Sequence, residues 1–244
     1  MSDIQFTGKG TEEAQHEIHT FLCPLNPDAD TIQRYYDTVA QFNRENPDAR
    51  PTKACLLCLV FRDVGPVMVM QTARYFNSNA PEKVIVQCRA DAAFYEQAGF
   101  TVLRSKIEAN AHSIIGIPLT DTDAALQPDF YFEHHIKVMK PGVTVMTDAE
   151  IAELTSVSTE MSELLGIPVP LSYNVNHDQF PGDGAGNQRF LNVRFRGVGL
   201  DTVKANLAKI VAAINETSFK VVKSIDEYVW YDTRVSVDKG WIDF

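Results

Sequence analysis

The sequence predicts an α+β protein built by tandem duplication of a ferredoxin-like βαββαβ module, with antiparallel sheets and helices on one face. Two internal matches predict the duplication. Phe100-Thr-Val-Leu-Arg104-Ser105-Lys-Ile-Glu108 returns 119 residues later as Phe219-Lys-Val-Val-Lys223-Ser224-Ile-Asp-Glu227. Glu17-Ile-His19-Thr-Phe-Leu returns as Glu133-His-His135-Ile-Lys-Val at a spacing of 116. The third observation is that both halves run through the same succession of β-rich and helix-periodic segments.

In the first half, Glu17 to Cys23 has strand composition. Asp30 is a candidate cap for a helix to about Asn43, with Ile32, Tyr35, Tyr36 and Val39 at helical spacing. Ala54 to Phe61 and Val67 to Phe76 are β-rich runs joined through Asp63-Val-Gly65, the pattern of a hairpin. Asn79 and Pro81 open a second helix that Gly99 closes, and Thr101 to Glu108 is the last strand. The second half repeats this with Phe132 to Met139, a helix capped at Thr147 or Asp148 and stopped at Gly166, then Leu171 to His177. Arg189 to Arg196, a helix from Leu200 to Glu216, and Lys220 to Tyr228 complete it. The expected domains are 14–109 and 131–228, with a connector over 110–130 and an aromatic tail, 229–244, packing back on the body.

At 244 residues with 45% hydrophobic content, the chain can bury a sizeable core. Its 22 basic and 32 acidic residues give a net charge of −10, which disfavours nucleic acid and anionic membranes as partners. The polar segment Met1 to Gln15 lacks the apolar core of a signal peptide, and no run is long enough to span a bilayer. A soluble, cytoplasmic protein with a small-molecule partner is expected, its oligomeric state left open. Cys23, Cys55, Cys58 and Cys88 all lie in apolar runs, which suits reduced thiols. Cys55 and Cys58 are three apart in a predicted strand, so they point to opposite faces and cannot share a metal.

The paired ionisable residues carry the functional argument. In a ferredoxin-like sheet the fourth strand lies beside the first, so the two motifs of each half become cross-strand neighbours. Strand alternation sends Ile18, Thr20 and Leu22 towards the helices and Glu17 and His19 away from them; likewise Glu133 and His135 oppose Phe132, His134 and Ile136. Arg104 shares a face with Glu108, and Lys223 with Glu227. His19, Glu108, His135 and Glu227 are therefore a candidate ligand set for a divalent ion such as Zn, Mn, Fe or Ni, with no other cofactor expected. Without a metal, His135 and Glu227 are the catalytic acid/base pair. Arg104, Arg194 and Lys223, with Glu17 and Glu133, are the candidate substrate-binding residues, the cations suiting an anionic metabolite. The alternative is that the same side chains are cross-strand ion pairs filling a polar sheet interface.

Weaker motifs add little. Gly182-x-Gly184-x-Gly186 joins two predicted strands instead of opening a helix, so it reads as a hairpin, with His177, Asp178 and Asp183 placed to close over a ligand. His112 lies in the connector, and Ser113 beside it has no assignable partner for nucleophilic chemistry.

Phe94-Tyr-Glu-Gln-Ala-Gly-Phe100-Thr-Val-Leu-Arg104 resembles the helix-to-strand passage of vicinal-oxygen-chelate proteins, whose paired modules place His on a first strand and Glu on a last strand. The resemblance covers about ten residues and a ligand pattern. It implies metal-dependent lyase, isomerase or dioxygenase chemistry, with His19, Glu108, His135 and Glu227 as ligands. That family uses a β-α-β-β-β module, whereas each half here carries a second helix. Two-histidine phosphoesterases require His-x-Ser/Thr, which neither His19-Thr20 nor His135-Ile-Lys137 supplies. An enzyme acting on a small anionic metabolite at a pseudo-twofold site between the repeats is the expected function. The other reading is a non-catalytic ligand-binding or assembly protein.

Overall fold

The computed structural model describes residues 5–6, 13–61, 65–175 and 186–234. In chain order the elements are β1 (Gln5–Phe6), β2 (Gln15–Cys23), α1 (Ala29–Glu45), β3 (Lys53–Phe61), β4 (Gly65–Asn77), α2 (Pro81–Gln97) and β5 (Thr101–Asn110). A 3-10 turn (Ala111–Ser113), β6 (Ile114–Ile115) and α3 (Asp121–Ala124) follow. The chain continues through β7 (Tyr131–Met139), α4 (Asp148–Leu165), β8 (Leu171–Asn174), β9 (Gln188–Arg196), α5 (Leu200–Asn215) and β10 (Lys220–Asp232). The fold is thus mixed α and β, with strands hydrogen-bonded in the order β10-β5-β2-β4 in one run and β3-β8-β9-β7 in another. As expected of a ferredoxin-like arrangement, β5 lies antiparallel beside β2.

Contacts divide the chain into two compact units, one of 1–56, 68–117 and 227–244, the other of 57–67 and 118–226. In the first unit, β2 is flanked by β4 and β5, and the C-terminal part of β10 pairs with β5. Arg74, opposite Ile18 in the β2–β4 register, bonds Asp91 of α2 and lies over the Phe42 ring of α1. The face bearing Ile18 therefore lies under both helices. α1 buries Tyr35, Val39 and Phe42, and α2 buries Val84, Cys88 and Tyr95, with Phe42 stacked on Tyr95. Each such side chain contributes about 1.5–3 kcal/mol by leaving water. Unusually for a single-layer sheet, every residue of β5 from Arg104 to Ala109 is buried, so both of its faces are covered. In the second unit, β9 joins β7 to β8, β3 pairs with β8, and Phe132, Ile136 and Val138 form the apolar face of β7. Leu154, Val157 and Met161 of α4 and Val203, Ile210 and Ile214 of α5 are buried there.

Several boundaries differ from expectation for identifiable reasons. Asp28, not Asp30, caps α1, its Oδ1 accepting from the Thr31 amide at 2.8 Å. Asn79 does not cap α2, because its Oδ1 accepts the Ala14 amide ahead of β2. Thr147 and Glu150 form a reciprocal capping box on α4, and Gly166 ends it with φ 66°. The expected connector carries β6 and α3, and the expected tail is corrected in part, since β10 continues to Asp232 with Val229 and Trp230 buried. The hairpin turn at Asp63, the Gly182–Gly184 segment, His177, Asp178, Asp183 and the chain after Arg234 lie outside the described residues.

Candidate functional site

In the first unit the β2 alternation turns Glu17 and His19 away from α1 and α2. Register sets Glu17 opposite Glu108 and His19 opposite Lys106 on β5, while on β4 Glu17 faces Tyr75. On the other side of β5, Val229 lies opposite Glu108 and Glu227 opposite Asn110, which makes Glu108 and Glu227 diagonal neighbours. Three carboxylates thus meet in a buried place: Glu108 is 0% exposed and Glu227 9%. Like charges directly opposite on a sheet repel, so this arrangement requires compensation.

Compensation comes from two cations and a proton. Lys106 Nζ forms an ion pair with Glu108 Oε1. His19 Nε2 lies 3.3 Å from Glu108 Oε2 and 3.9 Å from Glu17 Oε1. Burial opposes a charge on His19, but Glu108 and Glu17 overcome it and its pKa is raised. The Gln71 amide holds the other ring nitrogen, 2.7 Å away, and its two ends can exchange to suit either protonation state of the ring. Burial, then the charges of Glu108 and Glu17, and a hydrogen bond with Glu108 hold the Glu227 carboxyl well above the usual carboxylate range. Tyr75 completes the group: burial, the charge of Glu17 and a hydrogen bond to it raise the phenol, which stays protonated. Around the group Glu17, Phe21, Gln71 and Tyr75 are half-buried.

Arg104 shares the face of Lys106 and Glu108, but Asp232 takes its guanidinium through Nε, at 3.0 Å, and through Nη2. In the second unit Glu133 and His135 lie opposite Arg194 and Asn192 of β9. Arg194 Nη2 bonds Glu133 Oε1 at 2.8 Å, His135 Nε2 is 3.6 Å from the same oxygen, and His135 Nδ1 is 2.6 Å from Asn192 Oδ1. His134, on the core face of β7, bonds Asp226 at 2.9 Å. Lys223 is exposed on β10. Of the residues picked out in the sequence, Glu17, His19, Glu108 and Glu227 come together in the first unit, and Glu133, His135 and Arg194 in the second. Lys106, Gln71 and Tyr75 were missed. Lys106 was legible by parity, lying midway between Arg104 and Glu108, whereas Gln71 and Tyr75 become visible only through the β2–β4 register.

Chemically, two carboxyls sharing one proton form an acid/base pair that titrates as a unit. No protein-family model matches the chain, and no curated protein does. Among solved structures it is similar to an aldoxime dehydratase at 8% identity, covering 96% of this chain and 89% of that one, with a TM-score of 0.46. A heme-binding protein from Thermus thermophilus gives 12% identity, coverage of 90% and 91%, and a TM-score of 0.29. A candidate chlorite dismutase gives 11%, coverage of 95% and 100%, and 0.28. The functional reading therefore rests on the chain's own side chains. No described helix is long and apolar enough to cross a membrane.

Proposed function

We propose that the chain is an enzyme that moves a proton on a small metabolite, of lyase or isomerase type, with Glu108 and Glu227 as the acid/base pair. The observation that carries this is the buried carboxyl of Glu227, kept protonated beside Glu108. A protonated acid and an ionised base within one hydrogen bond can give a proton to one substrate atom and take one from another. His19 and Lys106 supply the positive charge that would stabilise an anionic substrate or a developing oxyanion. Arg104 and Arg194 act as supports in this reading, because Asp232 and Glu133 already engage them. His135 serves the second unit's Glu133 group, and the two groups descend from one duplicated module.

A second reading has its own support. His19 Nε2 lies 3.3 and 3.9 Å from oxygens of two carboxylates, near the spacing of about 3.0–3.4 Å between ligands of one divalent ion. Such an ion, when bound, would supply Lewis-acid polarisation. His19, Glu108 and Glu17 would hold it, with Gln71 fixing the ring of His19.

One experiment tests the acid/base reading and a second separates it from the metal reading. A pool of small carboxylate metabolites incubated in D2O with the protein should show deuterium entering one carbon position by NMR. Glu227→Gln should slow that exchange by about 10²–10⁴-fold. Absence of exchange across the pool, or an unchanged rate in the variant, sinks the proposal. Stoichiometric Zn, Mn, Fe or Ni in the purified protein, lost in His19→Ala, would favour the metal instead.

A further inference from the structure

A cavity of about 510 Å³ opens in the first unit where the end of α1 meets the end of β4. That volume falls within the range that holds a small metabolite. Its wall carries both signs of charge: Glu45 and Asp48 from the end of α1 and the loop after it, Arg50 from the same loop, and Arg74 from β4. The α1 C-terminus adds the negative pole of the helix on the Glu45 side. Arg74 is 5% exposed; Nη1 is committed to Asp91 at 2.7 Å, while Nε is buried with no hydrogen-bond partner. A buried guanidinium N–H without an acceptor costs stability that an arriving anionic oxygen would recover. Tyr75 lines this cavity as well, and its hydroxyl bonds Glu17 of the carboxylate group.

We infer that this cavity binds a zwitterionic amino-carboxylate, of amino-acid size. The carboxylate lies against Arg50 and the Nε of Arg74, where a planar fork meets two oxygens. The ammonium lies towards Glu45, Asp48 and the α1 C-terminus. A simple anion satisfies only half of this wall, and a simple cation only the other half. The inference rests on the acid/base reading for what happens to the ligand, but not for its binding.

Isothermal titration of the full chain with L-alanine, L-glutamine and L-phenylalanine, each also as its N-acetyl and carboxamide form, tests it. At least one free amino acid should bind saturably, and losing either charge should weaken it by about tenfold or more. Arg50→Gln, an exposed position, should weaken binding by a similar factor, and Glu227→Gln should leave it unchanged. No saturable binding, equal binding of the blocked forms, or an unaffected Arg50→Gln overturns the inference. Deuterium exchange on the bound amino acid separates the two proposals. Binding that Arg50→Gln weakens, without exchange, supports the cavity and refutes the acid/base reading. Exchange whose KM is indifferent to Arg50→Gln retains the acid/base reading and refutes the cavity.

Discussion

Asp91 poses a question that magnitude decides. Its Oδ1 accepts from Arg74 Nη1 and from Gln87 Nε2, both at 2.7 Å, and each bond favours the ionised form. Against them stands burial, since Asp91 is 3% exposed. Burial wins, and the carboxyl is pushed up from 3.8 to about 6. Carrying a carboxyl that far corresponds to about 3 kcal/mol of folding stability. The sign follows from the direction. Below about pH 4 folded and unfolded chains both hold the proton and that stability is fully present; it is lost as pH rises through about 6, where the unfolded chain has long been ionised. Asp91→Asn mimics the protonated acid at every pH. Urea unfolding at about pH 4 should therefore find variant and wild type nearly equal. At about pH 8 the variant should be more stable by ~3 kcal/mol. The opposing expectation is that removing one partner of a buried ion pair costs about 3–5 kcal/mol. The two differ in sign. A variant less stable than wild type at pH 8 would show that Arg74 outweighs burial, and that Asp91 is depressed, not raised.

Glu227 behaves similarly, since burial beside Glu108 and Glu17 raises it. The stability it contributes is present in acid and lost as pH climbs through its folded value, so Glu227→Gln should match wild type in acid and exceed its Tm in alkali. His16 works in the other direction: burial lowers it against a hydrogen bond from its Nε2 to the Ser78 carbonyl. Its contribution is complete above about pH 6.5 and is lost as pH falls, so NMR should find the ring titrating below a free imidazole. Lys106→Met leaves the wholly buried Glu108 without its ammonium and should cost about 3–5 kcal/mol in denaturant unfolding. Adding Glu108→Gln should restore most of that loss.

Strand parity was legible in the sequence because it depends only on alternation. It placed Glu17 and His19 away from the helices and next to Glu108, as the register confirms. What could not be read was the far side of each strand. Tyr75 looks like an ordinary β-former until β4 is registered against β2, and Asp232 looked like tail until β10 ran on far enough to reach Arg104. Cations offered to a substrate proved committed to carboxylates for the same reason, since pairing across strands is a property of register. The ends of helices were misread where a local polar residue had a distant use, as with Asn79 and the Ala14 amide. The raised pKa of Glu227 had no sequence signal at all, because it comes from burial and from carboxylates that only the strand register brings near.

The two polar groups differ at one matched position. Glu17 faces Tyr75 in the β2–β4 register, and Glu133 faces Arg194 in the β7–β9 register. Arg194 neutralises Glu133 at 2.8 Å, whereas the Tyr75 hydroxyl offers Glu17 a hydrogen bond and no charge. The first group brings Glu17, Glu108 and Glu227 together with Lys106 and His19. Glu227 is the carboxyl whose pKa burial and the other two carboxylates raise. Tyr75→Arg would introduce the second group's solution into the first. If charge imbalance holds the proton, the infrared band of a protonated carboxyl should disappear at neutral pH in this variant, and deuterium exchange should be lost while circular dichroism is retained. If the band persists, burial alone keeps Glu227 protonated, and the difference between Tyr75 and Arg194 does not explain why the acid/base pair lies in the first unit.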